Sequence, residues 1–389
     1  MFNYTSKNYP LELANFLSFL KVDRVNKFTK MAFNQTYKKT SPEVFKDLSQ
    51  TLIKELNIHN NKTDLKTWEG FRLLAIDASF INLPQTEKLM SYFGNKKSYK
   101  DRGRGIIKAK CSVLYDLENK YAVIAELEPV TKSGFAIALS LLEHCKQGDL
   151  ILCERSYPSY DFINHHVMNN LDFVIRTKLS FRKIILDFKK SKKDSQIVTM
   201  NSDRHQKLSG TAADITKPIK VRLIRRETSD GKVEILMTSL LDFKKYPNQV
   251  FQSLYTKRWS AESFYEELNN KWKIDCFSGY NRQSILQDFY AALFISNIQT
   301  RIVSELGDEI EEKNNQIKSD YKTDSNLSYD LLKNGVIELF SHQKSSQKPF
   351  NELKQLFIET MVPTKKKFTY KRDLDNYKSR TNYNLANNL

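Results

Sequence analysis

Apolar and polar positions along the 389-residue chain predict helices first, strands next and helices again. Residues 1 to about 65 follow a helical pattern. From Phe71 to Arg176, short apolar runs rich in β-forming residues predict five strands, with two helices between the later ones. From Tyr246 the helical pattern returns and continues almost to the end of the chain.

The order of these elements, β-β-β-α-β-α, is that of an RNase H-like sheet, in which three antiparallel strands precede a helix and a parallel strand. Residues 178 to about 244 interrupt this order with charged β segments, and a turn containing Ser229-Asp230-Gly231 predicts a hairpin there. We therefore predict an α/β (α+β) fold. It has an RNase H-like core with a β-strand insertion, flanked by helical N- and C-terminal regions.

Two further predictions concern the second helical part of the chain. One long helix is expected from Tyr246 to about Lys273, with Pro247 at its first position. A polar connection is expected at residues 307–329, followed by two weaker helices and a basic, disordered tail.

Lysine and arginine outnumber aspartate and glutamate by 62 to 45, which gives a net charge of +17 and a pI near 9.4. Such a charge favours a polyanionic partner, nucleic acid before an anionic membrane surface, although a basic protein without such a partner is the alternative. No run of about 18 apolar residues is present, which argues against membrane insertion. The four cysteines contain no C-x-x-C pair, so they predict reduced thiols of a cytoplasmic protein.

The segment from Tyr255 to Glu262 is compatible with a helix because it lacks glycine and proline. At about 100° per residue, Tyr255, Arg258 and Glu262 fall on one stripe of that helix. An aromatic ring, a guanidinium and a carboxylate on one stripe suit an enzyme that grips a nucleic-acid backbone and holds a metal beside it. The alternative is a surface Arg–Glu pair at i,i+4 spacing, which stabilises a helix by only a few tenths of a kcal/mol.

Two other carboxylates end predicted buried strands: Asp77 ends the run that begins at Phe71, and Glu154 ends the run that begins at Asp149. Adjacent strand ends bring their side chains close together, and a helix packed across the sheet adds Glu262 as a third acid. Three acids so close require cations, and hard oxygen ligands favour Mg²⁺ or Mn²⁺. Two such ions activate a water or a 3′-hydroxyl in phosphoryl transfer. Taken alone, each acid is better explained as a turn-forming residue.

With these residues, the chain from Phe28 to about Val303 resembles the IS4-type DDE transposases, the enzymes of bacterial insertion sequences. Its segment Tyr255-x-x-Arg258-x-x-x-Glu262 resembles the Y-R-E-K signature of that family. The other matching segments lead into the first or the second acid or follow the third: Leu74-Ala75-Ile76-Asp77-Ala78-Ser79, Gly148-Asp149-Leu150-Ile151-Leu152, Phe277-Ser278-Gly279-Tyr280 and Ile285-Leu286-Gln287-Asp288-Phe289-Tyr290.

The resemblance implies an RNase H-like catalytic fold whose β insertion lies between the second and third acids. It implies that Asp77, Glu154 and Glu262 are catalytic residues that hold two divalent ions, Mg²⁺ or Mn²⁺. Tyr255 and Arg258 are the implied DNA contacts. Water then cleaves the phosphodiester at the end of the element, and the freed 3′-hydroxyl attacks target DNA. The implied partners are transposon-end and target DNA in a homodimeric complex, in the bacterial cytoplasm at the nucleoid.

Two positions depart from the family pattern. The second acid is an aspartate in the family, whereas Glu154 carries its carboxylate about 1.5 Å further out, and Ser156 replaces a nearby glycine. The signature lysine, expected seven residues after Glu262, is Asn269. Lys273 is one turn further along the same face, so we predict that Lys273, beside Asn269, supplies part of the missing DNA contact.

The predicted regions are a helical DNA-binding region at 1–68, a catalytic domain at 69–300 with the insertion at about 178–244, and a helical region with a basic tail at 301–389. The predicted function is a DNA transposase that cleaves and joins DNA at insertion-sequence ends. A catalytically impaired or inactive remnant that only binds DNA is the alternative, because of Glu154 and Asn269. A nuclease of the RNase H type without strand transfer is a weaker alternative, since the long insertion and the terminal helical regions count against it.

Overall fold

A computed structural model of the protein describes residues 30–59, 65–96, 105–202, 217–228, 231–270, 277–317, 320–341 and 347–364. The chain forms two compact units, one of residues 50–267 and one of residues 1–49 together with 268–389. The region boundaries expected near residues 68 and 300 remain predictions.

The described elements alternate between helices and strands in the middle of the chain and are mainly helical at both ends. In chain order they are α1 (Lys30–Lys39), α2 (Glu43–His59), β1 (Arg72–Asn82), α3 (Glu87–Phe93), β2 (Asn95–Lys96), β3 (Ile106–Asp116), β4 (Ala122–Pro129), α4 (Gly134–Leu142), β5 (Asp149–Cys153), α5 (Tyr160–Met168), β6 (Asp172–Thr177), α6 (Lys183–Ser191), β7 (Ser195–Met200), β8 (Ile219–Glu227), β9 (Val233–Thr238), α7 (Asn248–Thr256), α8 (Trp259–Asn270), α9 (Arg282–Glu305), α10 (Gly307–Ile317), β10 (Tyr321–Lys322), α11 (Ser325–Ser341), α12 (Gln347–Glu359) and β11 (Val362–Pro363). None of these described helices combines the length and the apolar character that a membrane span needs.

The unit of residues 50–267 is built around one mixed sheet. Its strands lie in the order β2-β3-β1-β5-β6-β9-β8-β7, and β4 pairs with β3. Strands β4, β3 and β1 pair antiparallel, whereas β1, β5 and β6 pair parallel. Three antiparallel strands, followed by two parallel strands that the chain reaches through α4 and α5, form an RNase H-like sheet. The predicted fold class is therefore confirmed.

One face of this sheet packs into the main hydrophobic core, to which helices α4, α5 and α6 also contribute. Ile76 of β1 and Cys153 of β5 belong to that core. Because successive side chains of a strand point to opposite faces, Asp77 lies on the other face. On that face Tyr115 of β3 packs against Phe264 of α8, with ring centroids 4.8 Å apart. Helix α8 therefore lies on the side of the sheet to which Asp77 projects.

The predicted β insertion extends the sheet. Strand β9 pairs antiparallel with β6, β8 pairs with β9, and β7 pairs with β8. The predicted hairpin between β8 and β9 is present, and Gly231 in its turn has a φ of 74°, a conformation that favours glycine. Ser229 and Asp230 lie outside the described residues. Helix α6 precedes these strands, so the segment predicted as β alone is mixed.

Two predictions about the helical regions were wrong. The long helix expected from Tyr246 to about Lys273 is two helices, α7 and α8, separated at Lys257 and Arg258. The N–H groups there bond to carbonyls three residues back, as Arg258 does to Tyr255 at 3.3 Å, so the turn is tighter than an α-helix. The polar connection expected at residues 307–329 contains α10, β10 and the start of α11.

The other unit is mainly helical, and a buried carboxylate joins two of its segments. Asp288 of α9 accepts hydrogen bonds from the backbone N–H of Ser278 at 2.6 Å, from the Ser278 hydroxyl at 3.0 Å and from the Tyr37 hydroxyl of α1 at 3.1 Å. Two of the sequence segments that follow Glu262 therefore meet in a structural contact. DNA binding by residues 1–68 remains a prediction.

His166 is a buried titratable group on helix α5. Its Nδ1–H donates to the carbonyl of Phe162 at 2.8 Å, and its ring packs edge-on against Phe162 and Phe173. Burial lowers the pKa of His166 to about 4, so the ring is neutral in the folded protein at neutral pH. In the unfolded chain a histidine takes up its proton near pH 6.5, about the ordinary value. The contribution of His166 to stability is therefore fully present above about pH 6.5 and is lost as the pH falls toward about 4.

We predict that His166→Asn, which keeps an N–H donor but does not titrate, removes roughly 3 kcal/mol of the stability loss between about pH 7 and about pH 4. Urea unfolding at both pH values measures the difference. His165→Asn is the matched control, because His165 is the neighbouring and less buried imidazole. A pH response in His166→Asn equal to that of the unsubstituted protein would contradict the neutral buried ring.

Candidate active site

The parallel register of β1 and β5 brings two acids side by side. The last residue pair of this ladder is Ile76 with Cys153, and Asp77 and Glu154 are the next residues along the chain. The expectation that Asp77 ends its strand was wrong, because β1 continues beyond it and Asp77 pairs with Val113 of β3. The backbone of Asp77 is therefore held by a sheet neighbour, whereas Glu154 leaves the sheet at the end of β5.

Arg258 lies at the centre of an acid cluster that consists of Asp77, Glu154 and Glu262. Its Nη1 is 3.2 Å from Asp77 Oδ1, and its Nη2 is 3.2 Å from Glu154 Oε1 and 2.7 Å from Glu262 Oε1. Only 2% of Arg258 is exposed. The alternative of a solvent-exposed Arg–Glu pair is therefore wrong, and the i,i+4 pair is part of a buried network.

Exposure increases across the acid cluster. The side chain of Asp77 is 11% exposed, that of Glu154 is 22% exposed and that of Glu262 is 37% exposed. Asp77 is thus the most buried acid of the cluster, and solvent reaches the cluster from the side of Glu262.

Electrostatics in the site follow from this burial. Burial raises the pKa of Asp77 to about 6; Arg258 opposes the rise, while Glu262 and Glu154 add to it. Burial disfavours the charge of Arg258, but its neighbours, the acids among them, outweigh this effect and raise the pKa of Arg258 above its ordinary value. The guanidinium is therefore the permanent charge around which the acids gather.

A second arginine, Arg176 of β6, contacts the outer side of Glu154. Its Nη2 is 2.8 Å from Glu154 Oε1 and 3.0 Å from Glu154 Oε2, and its Nη1 donates to Glu234 of β9 at 2.5 Å. The other oxygen of Glu234 accepts from Arg226 of β8 at 2.7 Å, and Arg226 donates to the Thr256 hydroxyl at 3.0 Å. Sequence reasoning missed these residues, although a charged residue inside the apolar strand run of β6 was a signal.

Tyr255 lies inside this network. Its ring centroid is 5.7 Å from the guanidinium carbon of Arg258 and 5.4 Å from that of Arg226. Its hydroxyl donates to the carbonyl of Cys153 at 3.1 Å, and only 1% of the residue is exposed. The ring of Tyr255 therefore lies close to two cations, and its hydroxyl ties α7 to the strand that precedes Glu154.

Tyr265 of α8 is another residue that sequence reasoning missed. Its hydroxyl lies 2.8 Å from the carbonyl oxygen of Asp77 and 3.2 Å from that of Cys111, on two neighbouring strands. Tyr265 follows Glu262 by three residues, so the same helix that brings the third acid also contacts the backbone of the first.

The turn after Glu154 tolerates the loss of glycine. Ser156 is not among the residues with positive φ, so the turn does not need the left-handed conformation that would favour glycine. The backbone N–H of Arg155 donates to Glu154 Oε2 at 3.0 Å, and that of Tyr157 donates to the Glu154 carbonyl at 3.2 Å. This departure from the family pattern therefore causes no backbone strain here.

Asn269 and Lys273 were the other two predicted DNA contacts. Asn269 lies near the end of α8. Lys273 lies outside the described residues. Their predicted roles remain predictions.

The donor chemistry of the acid cluster fits a divalent cation, because three carboxylates with hard oxygen atoms converge on one positive charge. Within the described parts of the chain, no group of three His, Cys, Asp or Glu side chains is spaced to hold a metal as it stands. The guanidinium of Arg258 contacts all three acids. A divalent cation can bind all three acids only if the guanidinium of Arg258 moves away from them.

Comparisons with known proteins find that the chain is similar to transposases. A family model described as "Transposase DDE domain" matches residues 68–298, well over half of the chain. Transposase InsG for insertion sequence element IS4, from Escherichia coli (strain K12), is 25% identical over 227 residues, which cover 55% of this chain and 48% of that relative. The match thus spans about half the length of this relative. The cryo-EM structure of a piggyBac transposase synaptic complex with hairpin DNA is 10% identical, with a TM-score of 0.42, over 77% of this chain and 59% of that chain.

We predict that Arg258→Gln lowers the free energy of unfolding by roughly 3 kcal/mol, because it leaves a buried group of carboxylates without its shared cation. Urea unfolding measures the loss. Arg301→Gln is the matched control, since Arg301 pairs with Glu305 at the same i,i+4 spacing but is more exposed. That control should cost about 1 kcal/mol or less. Equal losses in the two variants would argue against Arg258 as the centre of the cluster.

Proposed function

The chain belongs to the DDE transposase family, and from this premise we propose that it cleaves and joins DNA at the ends of an insertion sequence. The observation that carries the proposal is the meeting of Asp77, Glu154 and Glu262 around Arg258, within the residues that the family model matches. Metal-dependent phosphoryl transfer needs several acids at one point to bind the ions, and a cationic side chain that contacts phosphate. The acid cluster and Arg258 meet these two needs.

In this proposal Asp77, Glu154 and Glu262 are the catalytic residues and hold two Mg²⁺ or Mn²⁺ ions. Bound there, the ions would activate a water or a 3′-hydroxyl and stabilise the leaving oxygen. Asp77 provides the most rigid ligand, because its strand is paired on both sides. Glu262 provides the ligand nearest to solvent, where a DNA phosphate would approach.

Arg258 has two successive roles in the proposal. In the metal-free protein it neutralises the acids, which explains why a phosphate-binding residue is buried. When the acids have another cation, its planar guanidinium becomes available for a bidentate contact with a DNA phosphate. Tyr255 supports this contact indirectly, because its ring lies beside the guanidinium of Arg258. Its own hydroxyl donates to the carbonyl of Cys153.

DNA is the proposed partner, both as transposon ends and as target. The net charge of +17 supports this partner, because a duplex is densely negative and its phosphates attract lysine and arginine. We propose that Asn269 and Lys273 add DNA contacts, and that two copies of the chain pair two transposon ends. A protein that cleaves and joins DNA would act at the nucleoid.

The second candidate function is a catalytically inactive DNA-binding protein on the same fold. The observation that favours it is the combination of Glu154 and Asn269 at two positions where the family pattern has other residues. A longer acid in a metal site is a change of about 1.5 Å, and misplacement by about 1 Å reduces rates roughly 100-fold in enzymes.

We predict that the protein cleaves a duplex carrying its element end when Mg²⁺ or Mn²⁺ is added, and that Asp77→Asn, Glu154→Gln and Glu262→Gln each reduce the cleavage rate roughly 100-fold or more. Gel analysis of cleaved strands measures the rate, and a mobility shift measures DNA binding. Glu126→Gln is the control, because Glu126 is an acid of the same sheet on β4. It should leave cleavage unchanged.

The same assay separates the two candidate functions. Binding without cleavage, in either metal, would favour the inactive protein. Cleavage that appears only after Glu154→Asp and Asn269→Lys are introduced would establish that these two positions inactivated it. Cleavage that survives all three acid substitutions would contradict the proposed site.

A further inference from the structure

Glu154 needs more support than the other acids of the cluster. It follows the last residue of β5, so no strand pairing holds its backbone, and its side chain is longer than that of Asp77. Among the described residues, three groups contact its carboxylate: the N–H of Arg155, the guanidinium of Arg258 and the guanidinium of Arg176. Of these, Arg176 makes the two shorter guanidinium contacts, at 2.8 and 3.0 Å.

Arg176 is itself fixed in position. It lies on β6 opposite Leu236 of β9, and its two terminal nitrogens face different acids, Glu154 and Glu234. Glu234 is fixed in turn by Arg226 of β8. Because a guanidinium is planar and carries its donors in a rigid fork, anchoring one arm on Glu234 sets the direction of the other. The β8–β9 hairpin is thereby linked to the carboxylate of Glu154 through Arg176.

We infer that Arg176 is a positioning residue for Glu154, anchored on Glu234 of the inserted hairpin. The inference rests on the proposed function, because it assigns Arg176 to the support of an active-site acid. It gives the insertion a role in the active site: its strands supply Glu234 and Arg226, which hold Arg176. It also means that Arg176 still holds the carboxylate of Glu154 in position when Arg258 leaves the acids to contact a DNA phosphate.

A double-variant cycle tests this inference through catalysis. Arg176→Gln should lower kcat for end cleavage by about 10-fold or more and leave KM for DNA nearly unchanged, because the substitution misplaces an acid without removing a DNA contact. In a Glu154→Asp background the carboxylate is about 1.5 Å too short to reach Arg176, so Arg176→Gln should change kcat by less than about twofold.

A second readout needs neither metal nor DNA. Urea unfolding of the metal-free protein with Arg176→Gln, Glu154→Gln and both substitutions measures the direct coupling of the two side chains. Each substitution changes the unfolding equilibrium constant by some factor. We expect the factor for the double variant to differ about tenfold from the product of the two single factors. Arg225→Gln is the matched control, since Arg225 neighbours Arg226 on β8 but donates to the carbonyls of Lys189 and Lys193.

Distinct results would overturn the inference. A raised KM with unchanged kcat would make Arg176 a DNA contact. Equal kcat losses in the Glu154 and Glu154→Asp backgrounds, or additive unfolding effects, would remove its link to Glu154. If neither background cleaves DNA, the proposed function fails, and the unfolding cycle alone decides whether Arg176 positions Glu154.

Discussion

The burial of Arg258 among three carboxylates is the interaction on which the site depends. Acids this close repel one another, and each loses solvation on burial, so they gather only around a shared cation. The parallel register of β1 and β5 delivers Asp77 and Glu154 to the same edge, and the tight turn before α8 delivers the guanidinium together with Glu262. The sheet therefore determines where Asp77 and Glu154 lie, α8 adds Glu262, and the turn before α8 brings the positive charge that makes this arrangement stable.

Much of this could be predicted from the sequence because it rests on local patterns. The strand runs leading to Asp77 and Glu154, and the spacing of Arg258 and Glu262, are short-range signals that survive in the structure. The position of Arg176 could not be predicted, because its partner Glu234 is distant in the chain and meets it only through the pairing of β6 with β9. That register depends on how the insertion joins the sheet.

The failed predictions have a related cause. No glycine or proline marks the break at Lys257, so the sequence predicts a continuous helix, yet α7 and α8 are separate helices. Helix α10 was missed because the region from 307 to 329 is polar. Its described side chains are largely exposed, so the sequence shows little of the apolar periodicity that predicts a helix. Propensity and periodicity are weak where tertiary contacts decide the geometry.

The ladder between β1 and β5 determines which kinds of mutation the acid cluster tolerates. Its register aligns Asp77 with Glu154 one residue past the pair Ile76–Cys153. A point substitution in β5 leaves that alignment intact. Loss or gain of a single codon within β5 would move the acid by about 3.3 Å and turn it to the opposite face. The acid cluster therefore tolerates substitutions that keep this register, whereas one small deletion in β5 removes it.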